Sequence, residues 1–567
     1  MHELLNQKLP SSGTSPSAMS DGVSLSQLRE ADTIAQTPES TSDTIDIVPM
    51  HKTGTAQSVE QVHVLSRKKF AMVFVGLLLV VLLASLDLTI VSTAVPRITE
   101  EFGAFSSAAW IGTAYMLTST SLQPLYGKLS DIFGRRPALL FAVTTFLLGS
   151  LGCGLSNNIG MLIAFRAVAG IGGGGLISTC MIAVSDITLP ANRGKYQGLL
   201  SAVFAFASVV GPLLGGVFVD HATWRWDFYI NLPAATSHWE YARKMSRINW
   251  IGALLIVLAN LAIMLPLSWG GSTYPWNSPV VIALLCVGGI LIAITVYWEG
   301  WRAQEPIAPG RIFRNRATSA VFVCVFMTGG VFLGLVYFIT LFYQVVRSQS
   351  ATRADITMLP LMILAALSAI AAGTITLHMR EWSYTTFLSI GYVLAAVAGG
   401  LLTMLEREPN DALEYRAMTA AGIGIGFTVQ MTLLSAQFTA QSRDVAVATA
   451  LSIFFRIMGA VFGTAIVGTL LNNTIATELA KHIPDGIPEL EAGKGEISTA
   501  MLAKIPPEMR NIALDGITAA FGRGFLAIIP ISAIAFAVSL LVRVEAGAAT
   551  SRRRAKEQQD QSRGLEP

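Results

Sequence analysis

The stretch Gly127-Lys128-Leu129-Ser130-Asp131-Ile132-Phe133-Gly134-Arg135-Arg136-Pro137 joins two long apolar runs of the sequence. Its glycines permit a tight turn. Its carboxylate, Asp131, can accept hydrogen bonds from Arg135, from Arg136 or from a helix N-terminus. A charged connection between two apolar runs predicts a membrane protein that crosses the bilayer repeatedly. A simpler interpretation of the same residues is a basic loop on the cytosolic side, where Lys and Arg are in excess.

Composition supports the prediction of a membrane protein. Of 567 residues, 52% are hydrophobic and only 13% are charged, whereas soluble proteins carry about 25% charged residues. A membrane-spanning helix needs about 20 apolar residues, and about thirteen runs meet that length. These runs begin near Phe70, Ser106, Pro137, Gly160, Lys195, Trp250, Pro279, Ala317, Ile356, Tyr384, Arg416, Val445 and Arg523, with a weaker one near Trp224.

Basic clusters predict the orientation of these helices, because cytosolic loops carry an excess of Lys and Arg. All clusters lie on one side only if the number of crossings is even, which makes the weak segment near Trp224 a sixth crossing. We therefore expect about fourteen helices, with both termini in the cytosol. The clusters are Arg67–Lys69, Lys128 with Arg135–Arg136, Arg193 with Lys195, Arg243–Arg247, Arg302–Arg316 and Arg552–Arg554.

The sixth crossing is atypically short. Each charge at the centre of a lipid-exposed helix costs about 2.5–3.5 kcal/mol, and Trp224–Lys244 contains several. Around the crossings we predict a disordered cytosolic tail at 1–66, an extracellular loop at about 473–515 and a cytosolic tail at 546–567.

Several classes of function are excluded by what the sequence lacks. It has no nucleophile elbow, no phosphate-binding P-loop and no metal-ligand cluster, so an enzyme, an ATP-driven pump and a metal site are not expected. The net charge of +3 comes with no basic face for nucleic acid. The four cysteines fall in apolar runs and are predicted to be buried packing thiols. Asn472 begins an Asn-Asn-Thr glycosylation sequon, for which a chance match is an equal explanation.

The Gly127–Pro137 stretch resembles the signature loop between helices 2 and 3 of the major facilitator superfamily. The resemblance implies an all-α membrane fold of two six-helix bundles, here with two extra central helices, that rock to give alternating access. It places the N-terminal six-helix bundle at 67–247, the two inserted linker helices at 248–300 and the C-terminal six-helix bundle at 301–545. It also implies that the loop's charged residues form a latch between the two halves of the protein. The latch residues implied are Gly127, Asp131, Gly134, Arg135 and Arg136.

Three further segments resemble fungal fourteen-helix drug/proton antiporters of this superfamily. Leu86–Pro96 is similar to their helix-1 motif and places Asp87 at membrane depth, where a carboxylate is costly and is a functional hypothesis. Phe165–Gly175 places Arg166 in helix 4; the resemblance implies proton coupling by both residues. The alternatives are a structural hydrogen bond for Asp87 and a snorkelling Arg166. In helix 5 the antiporter-motif residues are Gly198, Gly211, Pro212, Gly215 and Gly216, with Ala207 where a further glycine is usual.

The resemblance implies a proton-coupled exporter of drugs, toxins or hydrophobic secondary metabolites, driven by the proton gradient without a cofactor. Its expected partners are a small hydrophobic or amphipathic substrate, protons and the lipid bilayer, and it is expected to be a monomer in the plasma membrane or the vacuolar membrane. Candidate cavity residues, for which packing is the simpler explanation, are Tyr115, Gln123, Tyr337, Gln344 and Gln430. A sixth candidate is Arg456, for which the alternative is a place at the cytosolic interface.

Two alternatives remain at this point. One is a related carrier for siderophores, basic amino acids or vacuolar solutes. The other is an inactive or sensor paralogue, because the segment after Pro233 reaches Trp250 too soon and lacks about 30 residues, the length of a helix and its loop.

Overall fold

The computed structural model describes residues 67–103, 108–188, 192–232, 249–270, 274–303, 306–376, 382–482 and 510–542. These residues form sixteen α-helices, which we number in chain order. They are α1 Arg67–Glu101, α2 Ala108–Phe133, α3 Arg135–Gly154, α4 Ile159–Ile187, α5 Arg193–His221, α6 Trp226–Tyr229, α7 Trp250–Trp269, α8 Pro279–Tyr297, α9 Gly310–Arg314, α10 Arg316–Val345, α11 Ala351–Thr357, α12 Leu359–Ile375, α13 Trp382–Leu402, α14 Asp411–Thr439, α15 Val445–His482 and α16 Arg510–Leu526, whose span continues to Val542.

Length and composition make most of these helices fit to cross a bilayer. Eleven of them are at least 18 residues long and sufficiently apolar. Helix α2, with 26 residues, and the shorter apolar helix α12, with 17, are two further candidates. The described residues therefore contain thirteen candidate crossings. The fourteenth crossing begins with the four-residue helix α6. Its continuation at 233–248 lies outside the described residues.

The N-terminal bundle consists of α1 to α5 with α6 at one end. Helix α4 packs against α2 and α3 through a run of glycines, and small residues let helix backbones approach closely. A Cβ atom at Gly172 would lie 2.3 Å from the amide nitrogen of Phe146 in α3, and one at Gly174 would lie 2.3 Å from the carbonyl oxygen of Ser119 in α2. The central part of α4 is therefore buried on several sides, and so are the polar groups it carries.

The C-terminal bundle consists of α10 and α12 to α16. Its core is a continuous apolar cluster that includes Leu335, Phe342 and Phe521. Helices α10 and α15 approach each other at glycines on both sides, because a Cβ atom at Gly329 or Gly459 would collide with backbone of the facing helix. The two bundles therefore use the same packing device.

The linker helices α7 and α8 form a hairpin beside both bundles. Asn260 in α7 donates a hydrogen bond of 2.6 Å to Ser121 Oγ in α2. The indole of Trp276, between the linker helices, donates to Thr469 Oγ1 in α15 at 3.0 Å. Helix α8 packs on α7 and exposes most of its apolar surface, with only 11% of its span buried. This exposure suits a helix that faces lipid.

The structure corrects two expectations about elements. The predicted loop at 473–515 is shorter, because α15 continues to His482 and α16 begins at Arg510. Asn472 accordingly lies inside α15, partly buried, and its role as a glycosylation acceptor stays a prediction. The expectation that all four cysteines are buried is wrong for Cys286, which is exposed on α8, while Cys153, Cys180 and Cys324 are buried.

Candidate functional site: a buried charge cluster in the N-terminal bundle

A buried ion pair joins α1 to α4. The Arg166 guanidinium donates through Nη1 to Asp87 Oδ2 at 2.7 Å, and the side chains are 1% and 0% exposed. Both groups were predicted from the sequence, and the structure brings them together. Neither charge could be buried alone, because an isolated ion in a low-dielectric interior is too costly. A snorkelling Arg166 is ruled out by this burial.

Helix α2 completes the surroundings of Arg166. The guanidinium lies over the ring of Tyr115, 4.3 Å from its centroid, and Arg166 Nε donates to the carbonyl oxygen of Ile111 at 3.1 Å. A cation over an aromatic face is stabilised by the ring's quadrupole. Tyr115, predicted as a cavity residue, is thus buried in the ion-pair cluster.

The second oxygen of Asp87 is bound by the segment that follows α5. Asn231 Nδ2 donates to Asp87 Oδ1 at 3.0 Å and to Ser150 Oγ of α3 at 3.1 Å. The Asp87 carboxylate thus has a hydrogen-bond donor on each oxygen, the guanidinium on one and the amide on the other. Asn231 is therefore a positioning residue for Asp87.

A second carboxyl group belongs to the same region. Asp227 in α6 is fully buried, and neither of its oxygens has a hydrogen-bond partner among the described residues. It interacts electrostatically with Asp87. We define the charge cluster as Asp87, Arg166, Asp227 and Asn231.

The segment Trp224–Asn231 is fixed to the end of the bundle by its flanking residues. The Trp224 indole donates to Glu101 Oε2 at 2.7 Å, and Arg225 pairs with Glu101 Oε1 at 3.2 Å. Tyr229 donates to the carbonyl oxygen of Gly154 at 2.8 Å. The hydrogen bond from Trp224 lowers the pKa of the Glu101 carboxyl, and Arg225 acts in the same direction against partial burial. Glu101 thus anchors the segment at neutral pH.

The antiporter-motif residues place α5 against α1 one turn from Asp87. A Cβ atom at Gly211 would lie 2.1 Å from Thr89 Oγ1, and one at Gly215 would lie 2.2 Å from Thr93 Oγ1. Thr89 also donates to the carbonyl oxygen of Ala207 at 3.1 Å. Pro212 lies inside the helix. Gly216, by contrast, has open space beside it, so it does not share in this contact.

The charged residues of the latch loop pair within the N-terminal bundle. Arg135 Nη1 donates to Asp131 Oδ1 at 2.6 Å and to Ser130 Oγ at 2.8 Å, and Arg135 also pairs with Asp186 at the end of α4. Gly134 has φ of 97°, which a residue with a side chain rarely adopts. Arg136 is exposed in α3. The expected turn is thus made by Gly134.

Gly127 has a different role from the turn expected of it. It lies inside α2, and its Cβ atom would be 2.8 Å from Cβ of Ala450 in α15. The described contact of this stretch with the C-terminal half is thus a close helix approach, whereas the described ion pairs of Arg135 stay in one half. We call the end of the protein that carries this stretch the latch end.

Further contacts close the two bundles together at the latch end. A Cβ atom at Gly194 in α5 would lie 2.5 Å from the carbonyl oxygen of Gly373 in α12. Gln430 in α14 donates to the carbonyl oxygen of Gly194 at 3.0 Å, and Gln197 donates to Gln437 at 3.2 Å. A Cβ atom at Gly198 would lie 3.0 Å from Cα of Ile370. In this conformation the latch end is therefore shut.

The remaining predicted cavity residues do not converge on one place. Gln123 is buried in α2 with its Oε1 unpartnered among the described residues. Tyr337 is 54% exposed on α10, and Gln344 is half-buried near the end of the same helix. Arg456 lies eleven residues into α15, about 16 Å along the helix, and donates to the carbonyl oxygen of Val429 at 3.2 Å. That depth favours the bundle interior over the helix end for Arg456.

Comparison with known proteins identifies the family. The Major Facilitator Superfamily profile matches residues 77–237. The efflux pump FUS6 of Gibberella fujikuroi is 36% identical over 430 residues, which cover 72% of this chain and 76% of that protein. This chain belongs to the Major Facilitator Superfamily. It is a multi-pass membrane transporter with a small-molecule substrate, and it is not an enzyme.

Other members of the superfamily agree with this assignment. The acurin A biosynthesis cluster MFS-type transporter of Aspergillus aculeatus is 34% identical, with 74% of this chain and 77% of that protein covered. A solved structure of the human organic anion transporter MFSD10 has a TM-score of 0.53 at 13% identity, covering 83% of this chain and 99% of that one. An inward-facing bacterial homologue of the lysosomal transporter Spinster has a TM-score of 0.52 at 18% identity, covering 85% and 98%. These solved structures support the major facilitator fold.

Within this superfamily fold, the sequence did not single out Asp227 and Asn231 as site residues. Both lie in a short segment rich in polar residues, and nothing in the sequence distinguishes them from the other polar residues there. Polar groups in a membrane crossing are costly, so the sequence indicated that this segment is sheltered from lipid. It did not indicate which of its residues belong to a functional site. The hydrogen bond from Asn231 to Asp87 joins residues that are 144 apart in the sequence, so it becomes visible only in the fold.

Proposed function

We propose that this transporter exports small hydrophobic or amphipathic molecules in exchange for protons. The single observation that carries the proposal is the buried Asp87–Arg166 pair, set beside the close packing of α5 on α1. An ionisable pair inside a membrane is costly, and such groups mark ion and proton pathways. The relatives named efflux pumps supply the direction of transport.

Protonation of Asp87 is the proposed switch. With Asp87 ionised, the ion pair is neutral and tightly hydrogen bonded. With Asp87 protonated, Arg166 retains a buried charge without its counter-ion, and breaking such a pair costs about 3–5 kcal/mol. A conformation that gives Arg166 another partner or water is then favoured, so the proton shifts the population between the two bundle arrangements.

The proposed substrates follow from the relatives and from the chemistry of the fold. One relative is named for a biosynthesis cluster and another is an efflux pump of a fungus, so we propose a toxin, a drug or a hydrophobic secondary metabolite as substrate. The unpartnered amide oxygens of Gln123 and Gln430 are acceptors that a weakly polar substrate would use once the bundles separate.

Orientation and location belong to the same proposal. The basic residues of the latch stretch support a cytosolic location for the latch end and for both termini. The plasma membrane is the proposed location, since export from there removes the substrate from the cell, and the vacuolar membrane is the alternative. The proton gradient is the proposed driving force, with no cofactor, and the proposed working unit is a monomer.

The test is efflux of a fluorescent hydrophobic dye from cells that express the chain, with and without a proton uncoupler. We expect export that stops with the uncoupler and is lost in Asp87→Asn and in Arg166→Ala. The matched control is Asp515→Asn, which neutralises a carboxylate that is 69% exposed. Export that persists in the uncoupler would contradict proton coupling, and export unchanged in both cluster variants would contradict the assignment of the pair.

A further inference from the structure

The charge cluster contains two carboxyl groups and one cation. Arg166 supplies a positive charge, and Asp87 and Asp227 are the two acids. Within the described ranges, the other titratable groups that face it are Tyr115 of α2 and Cys153 of α3, which are neutral at pH 7 because their ordinary pKa values are near 10 and 8.5. The residues of α5 that pack near the segment Trp224–Asn231 are the apolar Leu214 and Phe218.

Among the residues that the structure describes, the remaining charged neighbours are paired at the end of the bundle. Arg225 and Glu101 bind each other, and they lie at the partly exposed end of the segment. They leave the charge balance of the cluster unchanged. Two ionised carboxylates beside one guanidinium would leave a net negative charge among fully buried side chains.

Arg166 is committed to Asp87. Its Nη1 binds Asp87 Oδ2, its Nε binds the carbonyl oxygen of Ile111, and Asp87 Oδ1 takes the amide of Asn231. Asp227 receives none of these donors. A fully buried carboxylate with no hydrogen-bond donor and a like charge nearby does not stay ionised; it takes up a proton instead.

We propose that Asp227 is a second proton-binding group of the transporter and that the charge cluster holds one resident proton at neutral pH. The Oδ1 atom of Asn231, in the turn that follows α6, is a buried acceptor without a donor among the described residues. The Asn231 N–H bonds to the carbonyl oxygen of Phe228 at 3.3 Å, which keeps the turn beside α6, and a protonated Asp227 offers the O–H donor that this region lacks.

The proton has two carboxyl groups to occupy. When the O–H bond of Asp227 breaks, the proton passes to a carboxylate oxygen of Asp87, Asp227 becomes ionised, and the net charge of the cluster stays zero. Arg166 then pairs with whichever carboxylate is ionised. The part of this proposal that concerns transport rests on the proposed function, whereas the resident proton itself does not.

The experiment is infrared spectroscopy of the purified full-length transporter in lipid nanodiscs, in water and in heavy water. A protonated carboxylic acid has a carbonyl stretch distinct from that of a carboxylate, and the stretch shifts on deuteration. We expect this band in the wild-type protein at pH 7 and its loss in Asp227→Asn. We also expect its loss in Asp87→Asn, because Asp227 then ionises to balance Arg166.

Asp515→Asn is the control and should keep the band. A wild-type protein without the band at pH 7 would overturn the proposal, and so would a band that survives Asp227→Asn. The wild-type measurement needs no variant, so a misfolded variant leaves the test intact. If the band is present but the uncoupler does not stop dye export, the result supports the resident proton and contradicts the proposed proton coupling of transport.

Discussion

At the scale of single residues, Asp87 and Arg166 depend on each other for burial. Both were predicted because a charge inside a long apolar run is conspicuous in a sequence. Their pairing was not predicted, because 79 residues separate them along the chain. Spacing along a helix says nothing about which helices become neighbours, so the sequence identified the groups and the fold supplied the pair.

Removing one member of this pair should cost more than removing both. We expect Arg166→Leu to destabilise the protein by about 3–5 kcal/mol, since it leaves Asp87 without its counter-ion, and Asp87→Leu by less, since Asp227 can then balance Arg166. Replacing a whole buried pair by apolar residues is often nearly neutral. Thermal unfolding of the two single variants and the double variant, monitored by loss of monodisperse protein, measures this coupling. Strictly additive effects would contradict a direct ion pair.

At the scale of helices, the contact of α5 with α1 depends on two glycines. Gly211 and Gly215 bring the backbone of α5 against Thr89, Ile90 and Thr93. The sequence predicted all five motif positions as one group, because spacing treats them alike. The structure separates them, since Gly198 faces the C-terminal half and Gly216 faces open space. The role of each motif residue is therefore set by the residues that it contacts in the fold.

Adjacent glycines of α5 provide a matched pair of variants. At Gly215 a Cβ atom would lie 2.6 Å from the carbonyl oxygen of Ile90, and we expect Gly215→Ala to destabilise the protein by about 1–3 kcal/mol through overpacking. Gly216→Ala meets nothing within 4 Å, and it should be neutral or stabilising by up to about 1 kcal/mol, because alanine favours helix. Melting temperatures compare the two, and equal melting temperatures would refute the close contact.

The segment after α5 has an anchor that depends on pH. The pKa of Glu101 is lower in the folded protein than its ordinary value of 4.5, chiefly because Trp224 donates to it. A lowered folded pKa means that the stabilisation is complete above the unfolded value and is lost as the pH falls through the folded value. We expect the wild type to melt above Glu101→Gln at pH 7, with the gap closing in acid below pH 4.5.

The neighbouring Glu100 is the control for this titration. Its side chain is 64% exposed and pairs with Arg97 three residues earlier, and such surface pairs contribute little. Glu100→Gln should therefore melt with the wild type at every pH. A gap between wild type and Glu101→Gln that does not change with pH would show that the carboxylate charge is not what holds the segment.

At the scale of the whole molecule, the halves meet at the latch end through glycines and glutamines. Hydropathy and basic clusters predicted the crossings directly, and the resemblance supplied their grouping into two bundles with linker helices. The sequence pattern assigned Gly127 to a turn, since a glycine that permits a turn and a glycine that permits a close approach look the same in a sequence. The partner helix α15 lies more than 300 residues further along the chain, which no local pattern indicates.

A side chain added where the two bundles meet should hold the latch end open. In Gly194→Ala the added Cβ would lie 2.5 Å from the carbonyl oxygen of Gly373, and backbone on both sides leaves nothing to rotate away. We expect a lower yield of the disulfide between Gln197→Cys and Gln437→Cys, whose native side chains are 3.2 Å apart, together with slower transport at normal abundance.

Gly289→Ala in α8 is the matched control, because a Cβ atom there meets nothing within 4 Å. Its cross-linking and transport should equal those of the wild type. If Gly194→Ala forms the disulfide as efficiently as the wild-type background, the added methyl group is accommodated without separating the bundles. That result would contradict the tight backbone contact.

The positions of the four cysteines have a practical consequence for cross-linking this transporter. Cys286 is exposed on α8, a helix that faces lipid, and the other three thiols are enclosed by packed helices. Maleimides attack thiolates in water, and a water-soluble reagent reaches neither a lipid-facing thiol nor an enclosed one. Thiols introduced at the water-exposed ends of the helices can therefore be labelled with the native cysteines left in place.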